Sequence, residues 1–214
     1  MRVLIGGTPK KIIQHVGIVA YQDRFGSLAS WADGASPTNA IQFGGVWAMD
    51  NFAFTRFDPN KFVRYLDKHA GIADSCLWVC APDVVGDAPR TLERFDFWQH
   101  VIRSRGYRVA LVAQDGLEHE EIPFDEFDAL FIGGSTAWKI GHAAADIARE
   151  AKGRDKWVHM GRVNGKRRLR YAEMIGCDSV DGTGYAVYPP KAKEAMQVFS
   201  EDIQRPLWEG LRWA

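Results

Sequence analysis

The amino-acid sequence predicts a (β/α)8 barrel, a closed ring of parallel strands with helices on its outside. Short apolar runs alternate with helical patterns along the chain, and eight of these runs are strand candidates. The runs are apolar throughout, as in parallel strands that helices cover. The chain has 214 residues without an internal repeat, linker or low-complexity segment, which indicates one domain over residues 1–214. This is slightly short of the ~250 residues typical of a barrel, and a doubly wound open sheet is the alternative.

The strand candidates are short apolar runs, several of which end at a glycine or an acidic residue. Residues 22–43 lie between two of them. Gly, Ser, Ala, Pro and Asn dominate there, so we expect this stretch to be irregular. The candidates in chain order are Arg2–Ile5, Val16–Tyr21, Val46–Met49, Leu77–Ala81, Arg108–Ala113, Ala129–Ile132, Trp157–Met160 and Cys177–Asp181.

Two helices have clear starting signals. Asp58 is expected to be the N-cap of a helix whose first residue is Pro59, because an aspartate accepts from free N–H groups and proline needs none. Asp87 and Pro89 open a second helix in the same way. Two further helices are predicted, one that ends near Lys152 and an amphipathic one over Lys191–Leu211.

A basic helix is predicted over Lys166–Ile175, where Leu169, Ala172 and Ile175 share one face and Gly176 ends the helix. Cations near a helix N-terminus are unfavourable by roughly 0.3–1 kcal/mol each, because that end is already positive. Two interpretations stay open: a solvated charged face, or a site for the phosphates of a polyanion. The cations are Lys166, Arg167, Arg168 and Arg170.

The overall charge excludes a global polycation. Lys+Arg and Asp+Glu number 27 each, so any contact with nucleic acid must use a local patch. Hydrophobic residues make up 46% and charged residues 25%, which is typical of a globular protein. The 8 Trp and 12 Phe suit a packed core, and a few could serve as stacking surfaces.

The three cysteines, Cys76, Cys80 and Cys177, form no CxxC motif and have no nearby histidine partners. We therefore expect buried thiols in a reducing compartment and no zinc site. The first residues contain no long apolar segment, and no run approaches the ~18 apolar residues of a membrane span. We expect no signal peptide and no membrane span, and a cytoplasmic location.

Polar residues or glycines lie at or just after the ends of five strand candidates. In a barrel these strand ends converge on one mouth, which is where such folds keep their chemistry. Three carboxylates, an amide and an exposed glycine backbone are therefore expected to line one pocket. The residues are Asp50 after VWAM, Asp83 after WVCAP, Gln114 after ALVA, Gly133 and Gly134 after ALFI, and Asp181 after CDSV.

These groups suit chemistry at a glycosidic bond. Two carboxylates can share nucleophilic and acid/base work on a sugar. A third carboxylate can accept from the N–H edge of a guanine-like base, while Gln114 and a glycine N–H donate to its carbonyl oxygen. Phe54 and Met160 could stack on the base. The plainer alternative stays open: aspartates as caps and turns, glycines as a turn, and Met160 in the core.

The motifs resemble those of the tRNA-guanine transglycosylases, most closely the short phage-type members that modify DNA. The similarity covers residues 46–183. WAMDNFAF is similar to the family's strand-end Asp motif, APDVVGD to the segment with the base-recognising aspartate, and VAQDG to the Val-Gln-Gly motif. FIGGS resembles the Gly-Gly loop, HMGRV the Met-Gly motif, and GCDSVDG the Gly-x-Asp-x-x-Asp motif that ends in the nucleophile.

The resemblance implies a role for each matched residue. Asp181 corresponds to the nucleophile and Asp50 to the general acid/base. Asp178 lies three residues before Asp181, so in a strand the two point to opposite faces and only one can face the mouth. No metal or redox cofactor is implied. The implied substrate-binding residues are Asp83, Gln114, Gly133, Gly134, Phe54 and Met160, with the last two stacking on the base.

The implied activity is the exchange of guanine in a polynucleotide for a 7-deazaguanine base through a covalent aspartyl-glycosyl intermediate. The target nucleotide must be flipped out of its helix. The chain lacks the tRNA enzymes' Gly-rich turn after Asp50, their Cys3His zinc subdomain and the arginine in the loop after Asp181. We therefore expect DNA rather than tRNA as substrate. The residues expected to hold backbone phosphates are Arg162, Lys166, Arg167, Arg168 and Arg170.

Two other functions are compatible with the same residues. One is a non-catalytic nucleic-acid-binding barrel, which would keep the basic helix while its aspartates serve as caps and turns. The other is a nucleoside or glycoside hydrolase, which would deliver the glycosyl-enzyme to water. Incorporation of labelled guanine into polymer separates the transglycosylase from both.

Overall fold

The expected barrel is confirmed in a computed structural model, which describes residues 1–6, 24–32, 37–38, 41, 45–55 and 57–187. Eight parallel strands follow one another around the ring in sequence order. The first strand closes it by pairing with the last, with Val3 opposite Val180 and Leu4 opposite Asp181. The strands are β1 Arg2–Gly6, β2 Phe25–Ser30, β3 Val46–Asp50, β4 Cys76–Cys80, β5 Val109–Ala113, β6 Ala129–Ile132, β7 Trp157–Met160 and β8 Ser179–Asp181.

Helices connect most of the described strands. The β5–β6 connection is an exception, because residues 114–128 hold two 3-10 turns and no α-helix. This compact connection is one reason why the chain is shorter than a typical barrel. The helices are α1 Pro59–His69, α2 Ala88–Arg103, α3 Thr136–Lys139, α4 His142–Gly153, α5 Lys166–Met174 and α6 Thr183–Val187.

The predicted helix starts are confirmed. Asp58 accepts hydrogen bonds from the N–H groups of Asn60 and Lys61, both at 3.1 Å, and Pro59 is the first residue of α1. Asp87 caps α2 by accepting from the N–H of Arg90 at 3.0 Å. These bonds satisfy N–H groups that have no partner within the helix.

The second strand corrects the sequence interpretation. Residues 22–43 were expected to be irregular, yet Phe25–Ser30 forms β2, and every residue of this strand is buried. The segment FGSLAS consists mostly of small residues, and at Gly26 the neighbouring strands leave no room for a side chain. A Cβ on Gly26 would lie 2.7 Å from Leu4 Cδ2 and 2.8 Å from the Val46 carbonyl oxygen. The candidates Val16–Tyr21 and Lys191–Leu211 lie outside the described residues.

Side chains alternate between the barrel interior and the helix layer along each strand. Leu4, Ala48, Ala110 and Val112 share an inner cluster with Trp78. The residues between them face outward and pack with the helices. This alternation also directs the polar side chains, because a residue two positions from an inward one faces inward as well. The outward set includes Val3, Met49, Leu111, Ile132, Val158, Met160 and Val180.

The three cysteines, Cys76, Cys80 and Cys177, are buried free thiols, as expected. Burial raises the pKa of each thiol above its ordinary value, which disfavours the reactive thiolate. Within the described ranges, no group of three or more His, Cys, Asp or Glu side chains is arranged to hold a metal ion. No helix among these residues is long and apolar enough to cross a bilayer.

Candidate active site

A cavity of about 100 Å³ lies at the C-terminal ends of the strands. It is small, so it takes one compact group rather than an extended ligand. Most of the residues that the sequence singled out meet here: Asp50, Phe54, Asp83, Gln114, Gly133, Gly134, Arg162 and Asp181. Asn51, Cys80, Val85, Val112 and Phe131 complete the lining.

Asp181 ends β8 and points into this cavity, with a donor on each carboxylate oxygen. The backbone N–H of Arg162 donates to Oδ1 at 3.1 Å. The Nε2 atom of His159 lies 3.0 Å from Oδ2. Because both oxygens are held, the plane of the carboxylate is fixed while it still borders the open space of the cavity.

Asp178 has a different environment and does not line the cavity. Its carboxylate binds Lys152 Nζ at 2.8 and 2.9 Å and accepts from the Val158 N–H at 2.7 Å. It therefore ties α4 to the start of β7 on the outside of the barrel. The expectation that Asp178 and Asp181 face opposite sides agrees with this geometry.

Asp50 ends β3 and lines the same cavity as Asp181. The N–H of Phe52 donates to its Oδ1 at 3.1 Å. The pKa of Asp50 is raised from 3.8 to about 6, chiefly by burial, with the charges on Asp181 and Asp83 acting in the same direction and the Phe52 hydrogen bond opposing them. A carboxyl group with a pKa near neutrality can both give and take a proton.

Asp83 is held by two side-chain amides. Asn51 Nδ2 donates to Oδ1 at 2.8 Å, and Gln114 Nε2 donates to Oδ2. Burial raises the pKa of Asp83, and these hydrogen bonds lower it in part. Each carboxylate oxygen can accept a second hydrogen bond, so Asp83 can still receive two N–H groups from a ligand.

The amide of Gln114 connects three loops. Its Oε1 accepts from the N–H of Gly86 at 2.9 Å and from that of Gly134 at 3.1 Å, while the N–H of Gly133 donates to the Ala113 carbonyl at 3.0 Å. Both glycine N–H groups thus already have acceptors within the protein. This corrects the role predicted for them and leaves the second N–H of the Gln114 amide as the donor for a ligand.

Met160 does not line the cavity, contrary to the base-stacking role predicted for it. Its side chain is fully buried and belongs to the outward cluster with Val158 and Val180. The reason is the alternation along β7, in which His159 faces the barrel interior and Met160 faces the helices. The apolar groups at the cavity are Phe54, Val85, Val112 and Phe131.

Phe54 lines the cavity at its rim and is 70% exposed. The guanidinium of Arg162 lies over its ring, 5.1 Å from the ring centre. Arg162 also donates from Nη2 to the Gly134 carbonyl. One arginine therefore links the aromatic rim, the Gly133–Gly134 loop and the nucleophile candidate.

Backbone strain is concentrated at this rim. Among the described non-glycine residues, Phe52, Asp155 and Arg162 have positive φ, with values of 62°, 57° and 61°. Phe52 lies two residues after Asp50, and Arg162 lines the cavity and precedes the basic helix. Such conformations cost of order 1–3 kcal/mol each and tend to occur at functional sites.

Two buried residues near the nucleophile candidate were not predicted. His159 is fully buried, and Lys139 is 1% exposed, with Nζ donating to the Gly161 carbonyl at 2.9 Å. The pKa of Lys139 is lowered to about 8, chiefly by burial and then by the charge on Arg162, while the charge on Asp181 opposes the shift. A single histidine or lysine in an apolar strand or helix forms no motif with a characteristic spacing. No sequence pattern therefore marked either residue as part of the site.

The basic helix α5 borders a groove of about 580 Å³ next to this rim. Arg168 Nη1 donates to the Arg162 carbonyl at 3.3 Å, which places the groove beside the cavity. The N-cap of α5 is Gly165, which makes no side-chain cap. The groove is lined by Ile140, Asn164, Gly165, Arg167, Arg168 and Tyr171.

Comparisons with known proteins identify the fold but do not assign the chain to a family. No model of a known protein family matches the chain, and no curated protein matches it. A solved structure described as native KDPGal is 15% identical, with a TM-score of 0.55 over 95% of both chains. The tryptophan synthase A-subunit of Pyrococcus furiosus is 12% identical, with a TM-score of 0.51 over 95% of this chain and 96% of that chain. At these identities, the similarity shows the shared barrel fold alone.

Proposed function

We propose that this chain is a guanine transglycosylase, an enzyme that exchanges guanine in a polynucleotide for a 7-deazaguanine base. The observation that carries the proposal is the composition of one cavity. Asp50 and Asp181 supply two carboxylates for glycosyl chemistry, and Asp83 with Gln114 supplies acceptors and a donor for a base edge. The same arrangement resembles the site expected from the sequence motifs.

In the first step, a carboxylate oxygen of Asp181 attacks the anomeric carbon of the target nucleotide. The bond from that carbon to the guanine nitrogen breaks, and its electron pair leaves with the base. Asp50 in its protonated form gives the base a proton, which its raised pKa allows near neutral pH. The products are a covalent glycosyl-enzyme, free guanine and ionised Asp50.

In the second step, a 7-deazaguanine base occupies the vacated cavity. Ionised Asp50 removes the ring N–H proton of this base, and the nitrogen attacks the anomeric carbon. The ester bond to Asp181 breaks, and both carboxyl groups return to their starting states. The proton that Asp50 gives in the first step is thus recovered in the second, and no redox cofactor or metal is needed to balance the reaction.

Recognition of the base is assigned to the floor of the cavity. Ionised Asp83 would accept from two N–H groups of a guanine edge, and the second Gln114 N–H would donate to the base carbonyl. Phe54 is the stacking surface at the rim, where a base–aromatic contact contributes about 1–3 kcal/mol. The cavity is small, so the nucleotide must leave its helix before it can enter.

DNA is the favoured polymer. The motifs resemble most closely those of the short family members that modify DNA. Cys76, Cys80 and Cys177 are buried and not paired in disulfides. Their free thiols suit a reducing compartment, and the cytoplasm is the location that we propose. The alternatives remain a binding barrel without catalysis, and a nucleoside or glycoside hydrolase.

The proposal is tested by incubating the protein with duplex or single-stranded DNA, or with tRNA, and labelled guanine or 7-deazaguanine base. The polymer is then digested to nucleosides. We expect the labelled base to appear in DNA in place of guanine, as a labelled deoxynucleoside after digestion. Free guanine released without incorporation would favour the hydrolase, and binding with neither product would favour the non-catalytic barrel.

The basic helix leads to a separate prediction. The double change Arg167→Ala and Arg168→Ala should weaken DNA binding and make the slope of log K against log salt shallower by about 1–2, because each lost phosphate contact contributes about 0.7–0.9. Folding should change little, because Arg167 is exposed on α5 and Arg168 is only partly buried. Binding isotherms at several salt concentrations measure the slope.

The matched control for this prediction is the double change Arg64→Ala and Arg149→Ala. Both arginines are exposed, on α1 and α4, and neither lines the groove or the cavity. The control removes the same charge from the chain. Equal slopes for the two double variants would indicate that the α5 cations form a solvated charged face and do not contact DNA phosphates.

A further inference from the structure

A chain of three hydrogen-bonding side chains leads from the barrel interior to Asp181. Trp157 Nε1 lies 2.8 Å from Ser179 Oγ, and this oxygen lies 2.8 Å from His159 Nδ1. The other ring nitrogen, His159 Nε2, lies 3.0 Å from Asp181 Oδ2. His159 and Ser179 are direct partners in the β7–β8 pairing, so the strand register itself brings them together.

The direction of this chain follows from what each group can do. An indole N–H can only donate, so Ser179 accepts from Trp157 and has its own proton free for His159 Nδ1. The ring proton then lies on Nε2, where it donates to Asp181. The other tautomer would set an unprotonated Nε2 against a carboxylate oxygen, which is repulsive.

The surroundings keep the ring neutral and still. His159 and Ser179 are both 0% exposed, so water does not compete for these bonds. The rings of Trp78 and Phe131 pack on the imidazole with centroids at 4.9 and 4.7 Å. Burial lowers the pKa of His159 below 6.5 and Lys139 lowers it further, against the opposing effect of Asp181.

We infer that His159 is a positioning residue for the nucleophile: held as the Nε2–H tautomer by Ser179 and Trp157, it fixes the Asp181 carboxylate for attack on the sugar. The inference rests on the proposed function for the role of Asp181 as nucleophile. The His159 bond and the Arg162 N–H bond together hold both carboxylate oxygens. These two bonds restrict rotation of the carboxylate, which borders the cavity.

The Ser–His–Asp sequence of contacts is not a hydrolase triad. In such a triad the serine borders the substrate and the aspartate is buried behind the histidine. Here the order is reversed, because Asp181 lines the cavity and Ser179 is fully buried beneath it. The aspartate is therefore the group that meets the substrate, and the serine sets the tautomer.

The first test does not depend on activity. Nitrogen-15 NMR of the histidine side chains should show His159 as the neutral Nε2–H tautomer at pH 7. In Asp181→Asn, Ser179 and Trp157 are unchanged and still supply a proton to Nδ1. The ring should therefore keep the Nε2–H tautomer and donate to the amide oxygen of the asparagine. An imidazolium or an Nδ1–H tautomer in the unchanged protein at pH 7 would overturn the inference.

The second test measures what the hydrogen bond does. In single-turnover reactions with DNA, His159→Phe keeps a ring but loses the donor, so formation of the protein–DNA adduct should slow about 10²-fold. The Kd for DNA should stay within about twofold of the unchanged protein, because no phosphate contact is lost. His159→Gln, whose amide can still donate, should recover most of the rate.

Tyr107→Phe is the matched control, because it deletes one buried hydrogen bond, from Tyr107 to the Leu66 carbonyl at 2.9 Å, outside the cavity. Its adduct rate should not change. Equal slowing in His159→Phe and Tyr107→Phe, or no rescue by His159→Gln, would overturn the positioning role. If the unchanged protein forms no adduct with any polynucleotide, the proposed function fails, and the tautomer measurement still decides whether the hydrogen-bond chain exists.

Discussion

Asp181→Asn should abolish both base exchange and the covalent adduct with DNA. The change keeps the shape of the side chain but removes the negative charge that makes the carboxylate a nucleophile. We expect exchange to fall by on the order of 10⁴-fold or more, as for other enzymes that lose their nucleophile. The adduct is measured as a slowly migrating band on a denaturing gel after mixing with DNA, and exchange as labelled base in polymer.

Asp178→Asn is the matched control, since it makes the same chemical change three residues away. It should retain most of the exchange activity, because Asp178 binds Lys152 and the Val158 N–H on the outside of the barrel. It should lower the melting temperature, because Lys152 loses a partly buried ionic partner. An adduct in Asp181→Asn together with none in Asp178→Asn would assign the nucleophile to the other aspartate.

Most of the barrel could be predicted from the sequence because its strands are short, continuous apolar runs, buried on both faces. Ala129–Ile132 and Trp157–Met160 have the predicted bounds, and the caps at Asp58 and Asp87 begin the expected helices. The exception is β2. Its FGSLAS sequence has little apolar character, since crowding at Gly26 favours small residues over the branched ones that mark a strand.

The meeting of the strand-end residues was also predictable, because parallel strands of a barrel end at one mouth. Met160 shows where a motif can mislead. The sequence match gave it a stacking role, but His159 and Met160 are neighbours in β7, so only one of them can face the barrel axis. Once His159 faces inward beside Asp181, Met160 must face the helices.

The hydrogen-bond partners within the site could not be predicted. That Gln114 already binds Asp83, Gly86 and Gly134 depends on loops brought together from β4, β5 and β6, and no local spacing encodes it. The same holds for Lys139, whose burial under the loop that begins at Gly161 follows from tertiary packing alone. Sequence patterns indicate which strand ends meet, whereas the contacts among them require the three-dimensional arrangement.

Asp50→Asn should raise stability at neutral pH while it lowers activity. Burial and the neighbouring carboxylates raise the pKa of Asp50 from 3.8 to about 6, so ionised Asp50 is unfavourable in the folded protein. A shift of this size corresponds to about 2–3 kcal/mol of lost stability when the group is ionised. The asparagine removes the charge and keeps an oxygen for the Phe52 N–H.

The pH dependence follows from where the proton is bound. Between pH about 4 and 6, folded Asp50 keeps its proton while the unfolded chain has released it, so stability falls as pH rises through this window. Above pH about 6 the folded group is ionised as well, and the full penalty is present. The variant lacks this group, so its advantage should be absent near pH 4 and complete above pH 7.

The measurement is the melting temperature of both proteins from pH 4 to 8, with an expected gain of roughly 5–10 °C for Asp50→Asn at pH 7.5. Asp96→Asn, an exposed change on α2, controls for the loss of one negative charge.

In parallel, base exchange by Asp50→Asn should fall by about 10²–10⁴-fold, because proton transfer is lost. The adduct with Asp181 should still form slowly and then persist, since no base activates the incoming ring nitrogen. If the difference in melting temperature between Asp50→Asn and the unchanged protein is no larger at pH 7.5 than at pH 4, the folded protein does not disfavour the ionised form of Asp50. Exchange at the unchanged rate would remove it from the chemistry.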